Sequence, residues 1–272
     1  MVFSLRNGLA RGGLVFAAAA ALLVSGQSFA RIADAESEDA PAELTSARAV
    51  LDAYIEAIGG EERLRSMQTL HLKGVIEDMR AERVMPLEIR TGAPDLQVMR
   101  IEFPDRERIG GHDGRVTWAF DPLLGPQVFG PPDTEARFNF DFYAPLHYYD
   151  YFDDIALVGV ERFDGRDCYK LMLESRTGLV HNEYFDKKTG LRVGKDRIVT
   201  TRSGRVQIIN VYSDWERIDG VSVSRQETEL QAGPGEQPQV MQVIILEEIA
   251  FNTLEADDFL PVKEVREIMN NR

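Results

Sequence analysis

Cysteine and histidine are both scarce in this chain of 272 residues, which holds one cysteine and four histidines. A single cysteine, Cys168, cannot close an intramolecular disulfide, so the fold must depend on its apolar core. Its context, DCYKLML, is typical of a strand interior and favours a buried structural thiol over a reactive nucleophile. The histidines are His71, His112, His147 and His181. No two of them are spaced as H-x-H or H-x-x-x-H, and the sequence therefore predicts no metal site.

The sequence motifs of catalysis are missing as well. There is no G-x-S-x-G, no P-loop and no strand-linked G-x-G-x-x-G. The acidic pairs Asp153-Asp154 and Asp257-Asp258 stand where caps and solvated faces are usual. We therefore predict a protein that is not an enzyme and holds no cofactor. One alternative stays open, an exported hydrolase that uses His112 or His147 with acidic residues.

Long apolar runs and positive charge are also in short supply. The run Leu14–Val24 is too short to span a bilayer, which needs about 20 apolar residues, and no later run is longer. The chain has 31 Lys and Arg against 45 Asp and Glu, a formal net charge of −14. That balance opposes binding to nucleic acid or to anionic lipid surfaces by electrostatics alone.

The N-terminal region has the features of a cleavable secretory signal. Arg6 and Arg11 precede the apolar run, and small residues at Ser28 and Ala30 suit a signal peptidase. We predict a signal peptide over residues 1–30, cut after Ala30, and a periplasmic mature protein. Removing the two arginines would bring the net charge from −14 to −16. Residues 31–44 are acidic and small, and we predict a disordered linker there, followed by a single domain over residues 45–272.

The domain begins with a helical pattern. Thr45 or Ser46 can cap a helix, and Gly59-Gly60 can end it. The apolar stripe of this helix has helical spacing and comprises Val50, Leu51, Tyr54, Ile55 and Ile58.

From Gln68 onward the apolar period changes from helical to two, which predicts strands. Asp-Gly, Thr-Gly and Ser-Gly pairs separate the later segments and indicate an antiparallel meander of about a dozen strands. The meander breaks between Gly125 and Asp154, where a helix over TEARFNFDFYA and a strongly aromatic stretch are expected. A short amphipathic helix ends the chain. The fold class is therefore mainly β with a few helices, of the α+β type.

The apolar strand faces offer two interpretations. Packing in a core is the simpler one, because such faces nearly always bury against something. The other is that part of this surface lines a groove for an apolar ligand. The candidate residues are Met99, Ile101, Phe103, Val116, Trp118 and Phe120.

Several segments together resemble one known family. They are VLDAYIEAIGGEERLRSMQTLHLKG, GHDGRVTWAFDPLLG, DGRDCYKLMLES, YFDKKTGLRV and VYSDWERIDGV. Their layout is similar to that of the LolA/LolB-like outer-membrane lipoprotein-sorting superfamily. The resemblance implies an open, strongly curved antiparallel sheet, a half-barrel of about eleven strands wrapped around helices. It also implies a helical lid, for which Thr45–Ile58 and Thr134–Phe152 are the available segments.

In that family the concave face and its lid hold acyl chains of lipoproteins in transit. The resemblance therefore implies a monomeric carrier for a lipid or lipoprotein acyl chain, with membrane-bound donor and acceptor proteins as possible partners. It extends the candidate groove residues to Phe138, Phe142, Leu171, Leu173, Ile209 and Val211. The carriers also depend on a strand arginine near the lid, for which Arg90 and Arg100 are both available. The alternative function is an envelope signalling or scaffold protein of the same fold that binds a partner protein.

Overall fold

Thirteen antiparallel strands form one open sheet in the computed structural model, which describes residues 43–201 and 204–270. The predicted signal peptide, and the predicted linker up to residue 42, lie outside the described residues. The strands are β1 Thr69–Asp78, β2 Arg83–Gly92, β3 Leu96–Phe103, β4 Arg106–Asp113, β5 Thr117–Asp121, β6 Gly125–Val128, β7 Phe152–Phe163, β8 Arg166–Ser175, β9 Val180–Asp186, β10 Arg192–Thr201, β11 Gly204–Ile218, β12 Val221–Ala232 and β13 Gln239–Phe251.

The strand order shows two meanders joined side by side. It runs β6-β5-β4-β3-β2-β1-β13-β12-β11-β10-β9-β8-β7. Strands β1 to β6 form one meander and β7 to β13 the other, and the pairing of β1 with β13 connects them. The sheet is open, because β6 and β7 stand at its two edges. The predicted fold class, a mainly β, curved antiparallel half-barrel with few helices, is confirmed.

Strand β6 lies in the segment where the sequence predicts a break in the meander. A break is expected from Gly125 onward because GPQVFGPPD is rich in turn residues. Gly125–Val128 nevertheless pairs with β5. Pro126 is tolerated there because β6 is an edge strand, where a missing backbone N–H need not interrupt a ladder.

Side-chain caps begin two of the helices, and Ser46 is one of the two caps predicted for the first. Ser46 Oγ accepts a hydrogen bond from the Ala49 N–H at 3.2 Å, and Asp133 Oδ1 accepts one from the Ala136 N–H at 2.9 Å. No helix in the described part of the chain is long and apolar enough to span a bilayer. The helices are α1 Ala47–Ile58, α2 Glu61–Arg65, α3 Thr134–Phe140, α4 Tyr148–Tyr151 and α5 Lys263–Asn270.

The sheet has two faces with different coverings. Side chains alternate along a strand, and residues directly opposite each other on paired strands share a face. We call inner the face that carries Met99 and Ile101, and outer the opposite one. Helix α1 packs on the inner face, where the ring of Tyr54 lies 5.3 Å from that of Phe185. The same core includes Val50, Leu51, Ile58, Phe138, Tyr148, Phe152, Tyr169, Leu171 and Leu173.

The C-terminal helix α5 covers part of the outer face. Its Val265 is fully buried and packs with Val98, Ile109 and Trp118 of β3 to β5. The chain reaches α5 over Gly92, where an added Cβ would lie 2.7 Å from the ring of Phe259. Glycine at position 92 therefore allows the segment before α5 to lie flat against the sheet.

Shortening Val265 is expected to loosen this attachment. The change Val265→Ala removes two buried methyl groups and should lower the free energy of unfolding by about 2 kcal/mol. Urea denaturation of the full chain measures the change. Arg266→Ala, on the exposed side of the same helix, is the matched control and should change stability by less than about 0.5 kcal/mol. Equal effects of the two substitutions would mean that α5 does not contribute to the outer-face core.

Candidate functional site

A continuous apolar strip lies on the inner face of the joined meanders. Across β2 and β3, Leu87 lies opposite Ile101 and Ile89 opposite Met99. Across β1, Ile76 lies opposite Met85 on one side and opposite Ile244 of β13 on the other. All of these side chains are buried. We call the set the inner strip, and it comprises Ile76, Met85, Leu87, Ile89, Met99, Ile101 and Ile244.

A group of polar side chains occupies the inner face of the second meander. The Tyr148 hydroxyl donates to Glu183 Oε2 at 2.6 Å, and Arg192 Nη1 donates to Glu183 Oε1 at 2.9 Å. The Arg192 guanidinium lies 5.0 Å from the ring centroid of Tyr212. Lys195 stands on the same face, directly opposite Glu183 on β9. We call these five residues, Tyr148, Glu183, Arg192, Lys195 and Tyr212, the polar cluster.

Burial and mutual attraction set the charge states of the polar cluster. Burial alone would raise the pKa of Glu183, but the Arg192 guanidinium and further hydrogen bonds lower it to about 2. The pKa of Lys195 is lowered, chiefly by burial, and the negative charge of Glu227 only partly opposes this. Burial raises the pKa of Tyr212 well above its usual value. At neutral pH the cluster therefore holds an ionised Glu183 beside cationic Arg192, with both tyrosines neutral.

The inner strip and the polar cluster adjoin one another. One row of directly opposite residues crosses five strands in the order Met85, Ile76, Ile244, Glu227 and Tyr212. At about 4.8 Å per strand, this row is roughly 19 Å long. The inner face thus presents an apolar surface at one end of the row and a polar one at the other, as an amphiphilic ligand would require.

The connection between the two meanders packs on the inner face. We call residues 134–151 the lid segment. The ring of Phe140 stacks on His112 of β4 with centroids 4.5 Å apart, and Glu135 forms an ion pair with Arg197 of β10. The lid segment therefore contacts strands of both meanders from the same side.

Seven of the twelve predicted groove residues lie on the inner face or in the lid segment. Met99 and Ile101 belong to the inner strip, and Phe103 follows them on the same face at the end of β3. Leu171, Leu173 and Phe138 are instead packed in the core with α1. Phe142, which the sequence analysis also proposed, is half-buried in the lid segment, with its ring 5.2 Å from that of Tyr143.

Four of the five remaining predicted groove residues point to the outer face. Trp118 and Phe120 pack with the residues of α5, whereas Val116 precedes β5 and lies outside the strand. Ile209 and Val211 lie opposite Leu230 and Thr228, on the face away from Tyr212. A period of two shows which residues of one strand share a face, but it does not show which face of the sheet that is.

Five residues of the inner strip (Ile76, Met85, Leu87, Ile89 and Ile244) and the whole polar cluster were not predicted as site residues. Met85, Leu87 and Ile89 were recognised only as alternating strand positions. Glu183 and Arg192 are charged residues in segments that were read as ordinary strands. Their one sequence signal is alternation, since Glu183 shares its face with the apolar Phe185.

The two arginines considered for the family's lid position lie together on the outer face. Arg90 donates to Glu88 Oε1 at 2.9 Å, and Arg100 lies 3.5 Å from Glu88 Oε2. Arg90 also reaches the backbone carbonyl of Asp258 at 3.4 Å. Arg90 therefore supports the segment before α5, and both arginines lie on the outer surface of β2 and β3, on the side away from the lid segment.

The candidate reactive groups are held in separate places. His112 Nδ1 donates to the Val116 carbonyl at 3.0 Å, and its Nε2 lies 3.7 Å from Asp95. His112 and Asp95 line a polar cavity of about 270 Å³ that Arg115, Arg137 and Tyr151 also border. His147 Nδ1 lies 2.6 Å from Asp141 Oδ2. No group of three or more metal-ligating side chains occurs among residues 43–201 and 204–270.

The thiol of Cys168 is buried with Tyr184 and Val193, as predicted for a structural cysteine. Burial raises its pKa to about 11. Because the thiolate is the nucleophilic form, the thiol is unreactive at neutral pH.

Comparison with known proteins supports the fold. No protein-family model matches the sequence, and no curated protein matches it. Among solved structures, a DUF1329 family protein from Desulfovibrio piger is similar, with 17% identity, a TM-score of 0.56 and coverage of 80% of this chain and 98% of that one. A LolA superfamily protein from Nitrosomonas europaea is similar too, with 14% identity, a TM-score of 0.54 and coverage of 80% and 99%. These likenesses show that the chain has a LolA/LolB-like fold.

Proposed function

We propose that this LolA-like half-barrel is a non-enzymatic carrier that binds the acyl chain of a lipid or lipoprotein on its inner strip. The observation that carries the proposal is the continuous apolar surface of the inner strip. The lid segment packs on the same face of the sheet, and the polar cluster adjoins the strip. An acyl chain is unbranched and apolar over most of its length, so it matches a strip rather than a compact pocket. Each buried methylene contributes about 0.8 kcal/mol.

The affinity expected from this geometry is moderate and tolerant of chain identity. Ten methylenes would contribute about 8 kcal/mol before the cost of association is subtracted. No hydrogen bond can distinguish one saturated chain from another along the apolar part of the row. The proposed protein therefore exchanges acyl cargo, with a signal peptide over residues 1–30 and a periplasmic mature form that acts as a monomer between membrane-bound donor and acceptor proteins.

Lipid carriage is tested on the mature protein isolated from its own cell envelope. Native mass spectrometry is expected to show a bound species with the mass of one lipid or acylated peptide. The delipidated protein should then take up a fluorescent fatty acid with a saturable signal and one-to-one stoichiometry.

A protein that carries no lipid and takes up no fatty acid would contradict the proposal. Retention of a stoichiometric protein partner after crosslinking, in the absence of lipid, would support the scaffold function instead. Hydrolysis of an ester substrate that His112→Ala or His147→Ala abolishes would support the hydrolase.

A further inference from the structure

Three hydrogen-bond donors of the polar cluster lack an acceptor among residues 43–201 and 204–270. The hydroxyl of Tyr212 and the Nε of Arg192 are buried without a partner. The ammonium of Lys195 forms no ion pair or hydrogen bond with any residue in the same ranges. A buried donor without a partner costs about 1–3 kcal/mol, and more when it is charged. Tyr212 and Arg192 therefore each leave one buried donor unsatisfied, and the half-buried Lys195 adds a third unpaired donor beside them.

The sheet register brings these three donors together. Lys195 lies directly opposite Asn210 on β11, and Tyr212 follows two residues later on the same face. The guanidinium of Arg192 lies 5.0 Å from the Tyr212 ring. All three groups stand on the inner face, beside the polar end of the row that begins at Met85.

The neighbouring carboxylates are already engaged. Glu183 accepts from Tyr148 and from Arg192 Nη1, and His181 lies 3.5 Å away. Glu227 Oε1 accepts from Asn210 Nδ2 at 2.9 Å. Arg197, the next cation on this face of β10, is paired with Glu135 of the lid segment. Lys195 therefore lies close to two carboxylates without forming an ion pair or a hydrogen bond with either.

The missing acceptor has a defined chemistry. All three unpaired groups are donors, and two of them belong to cationic side chains. Hydrogen bonds between ionised partners are roughly twice as strong as neutral ones, so an anionic oxygen satisfies these groups better than a carbonyl or a water molecule does. The apolar strip beside them holds a hydrocarbon chain.

We infer that Lys195, Arg192 and Tyr212 bind the anionic headgroup, a carboxylate or a phosphate, of an amphiphile whose chain lies on the inner strip. This inference rests on the proposed function and names the class of lipid that the site selects. The lid segment contributes Tyr148, which holds Glu183 and so keeps Arg192 oriented toward the headgroup. The carrier therefore distinguishes acidic amphiphiles from neutral ones, although it does not distinguish chain lengths sharply.

Paired probes of equal chain length test the inference. The probes are 11-(dansylamino)undecanoic acid and its methyl ester, titrated into the mature full-length protein. We expect Lys195→Met to weaken binding of the acid at least tenfold and to leave binding of the ester unchanged. Tyr212→Phe should weaken binding of the acid several-fold, again without effect on the ester. Ester binding also verifies that each variant is folded.

Lys170→Met is the matched control. Lys170 lies on the outer face of β8, two strands away from β10, and its ammonium is 2.8 Å from Glu161. The control should bind both probes as the unmodified protein does. Lys195→Met and Lys170→Met make the same replacement on opposite faces of the sheet, so a general effect of replacing lysine by methionine would appear in both.

The outcomes separate the inference from the proposed function. Loss of acid binding alone in Lys195→Met supports the inference. If Lys195→Met binds each probe as tightly as the unmodified protein does, the inference is wrong, and the proposed acyl-carrier function is unaffected. Binding of neither probe overturns the proposed function and the inference together. Displacement of the acid by millimolar acetate or inorganic phosphate would show a site for a small free anion and would also overturn the inference.

Discussion

Replacing Glu183 by glutamine is expected to lower the free energy of unfolding by about 3 kcal/mol at neutral pH. The carboxylate is almost fully buried, with 1% of its surface exposed, and it neutralises Arg192. Glutamine keeps the shape and one acceptor but leaves the guanidinium without a counter-charge. Urea denaturation of the two proteins at pH 7 measures the difference. Glu161→Gln on β7, whose carboxylate is half exposed, should cost less than about 1 kcal/mol.

The same carboxylate sets part of the pH dependence of stability. Its pKa is about 2 in the folded protein against the ordinary value of 4.5. Because the folded state lowers the pKa, the stabilisation is complete above pH 4.5 and is lost as the pH falls toward 2. The shift corresponds to roughly 3 kcal/mol. Unfolding midpoints between pH 6 and pH 3 should therefore fall more steeply for the unmodified protein than for Glu183→Gln, and parallel profiles would contradict this account.

Filling the inner strip is expected to weaken acyl binding by about a hundredfold. Ile101→Trp places a larger ring in the middle of the strip and displaces about four methylenes of a bound chain, worth roughly 3 kcal/mol. The fluorescent fatty acid titration measures the loss. The substitution also overpacks the strand by about 1–3 kcal/mol, so binding is measured well below the unfolding temperature.

The matched control for this change is Ile198→Trp. Ile198 lies on β10 with 52% of its surface exposed, opposite Gln207 on the outer face. The same residue replacement on that side should leave fatty acid binding unchanged. If both tryptophan variants bound the fatty acid as tightly as the unmodified protein, the inner strip would not be the binding surface.

The strands could be predicted well because their information is local. Alternation along segments such as Leu87–Ile89 and Met99–Ile101, with turn pairs between later segments, depends only on neighbours in the sequence. The edge strand β6 was not predicted because its residues, GPQV, are unfavourable for a strand. They pair only with β5, through a hairpin. Its formation depends on a tertiary position at the sheet edge, which local propensity does not contain.

The candidate site was only partly predictable, for a related reason. Trp118 and Ile101 have the same alternating context, yet one packs under α5 and the other lies on the inner strip. Elements that are distant in sequence, here the C-terminal helix, determine which face of the sheet a set of alternating apolar residues occupies. The polar cluster was not predicted for the same reason. Glu183, Arg192 and Tyr148 belong to three separate elements, which only the sheet register and the lid segment bring together.

The pairing of β1 with β13 has a consequence for how the chain is made. The first strand of the domain pairs early with β2, but its other edge pairs only with the last strand, so this central seam of the sheet cannot form until nearly the whole polypeptide has emerged. Until then β1 is an unpaired edge beside an already formed hairpin, a surface on which other chains can add strands. Contacts so far apart in sequence form slowly. The newly made protein therefore passes through a period in which premature association competes with completion of the seam.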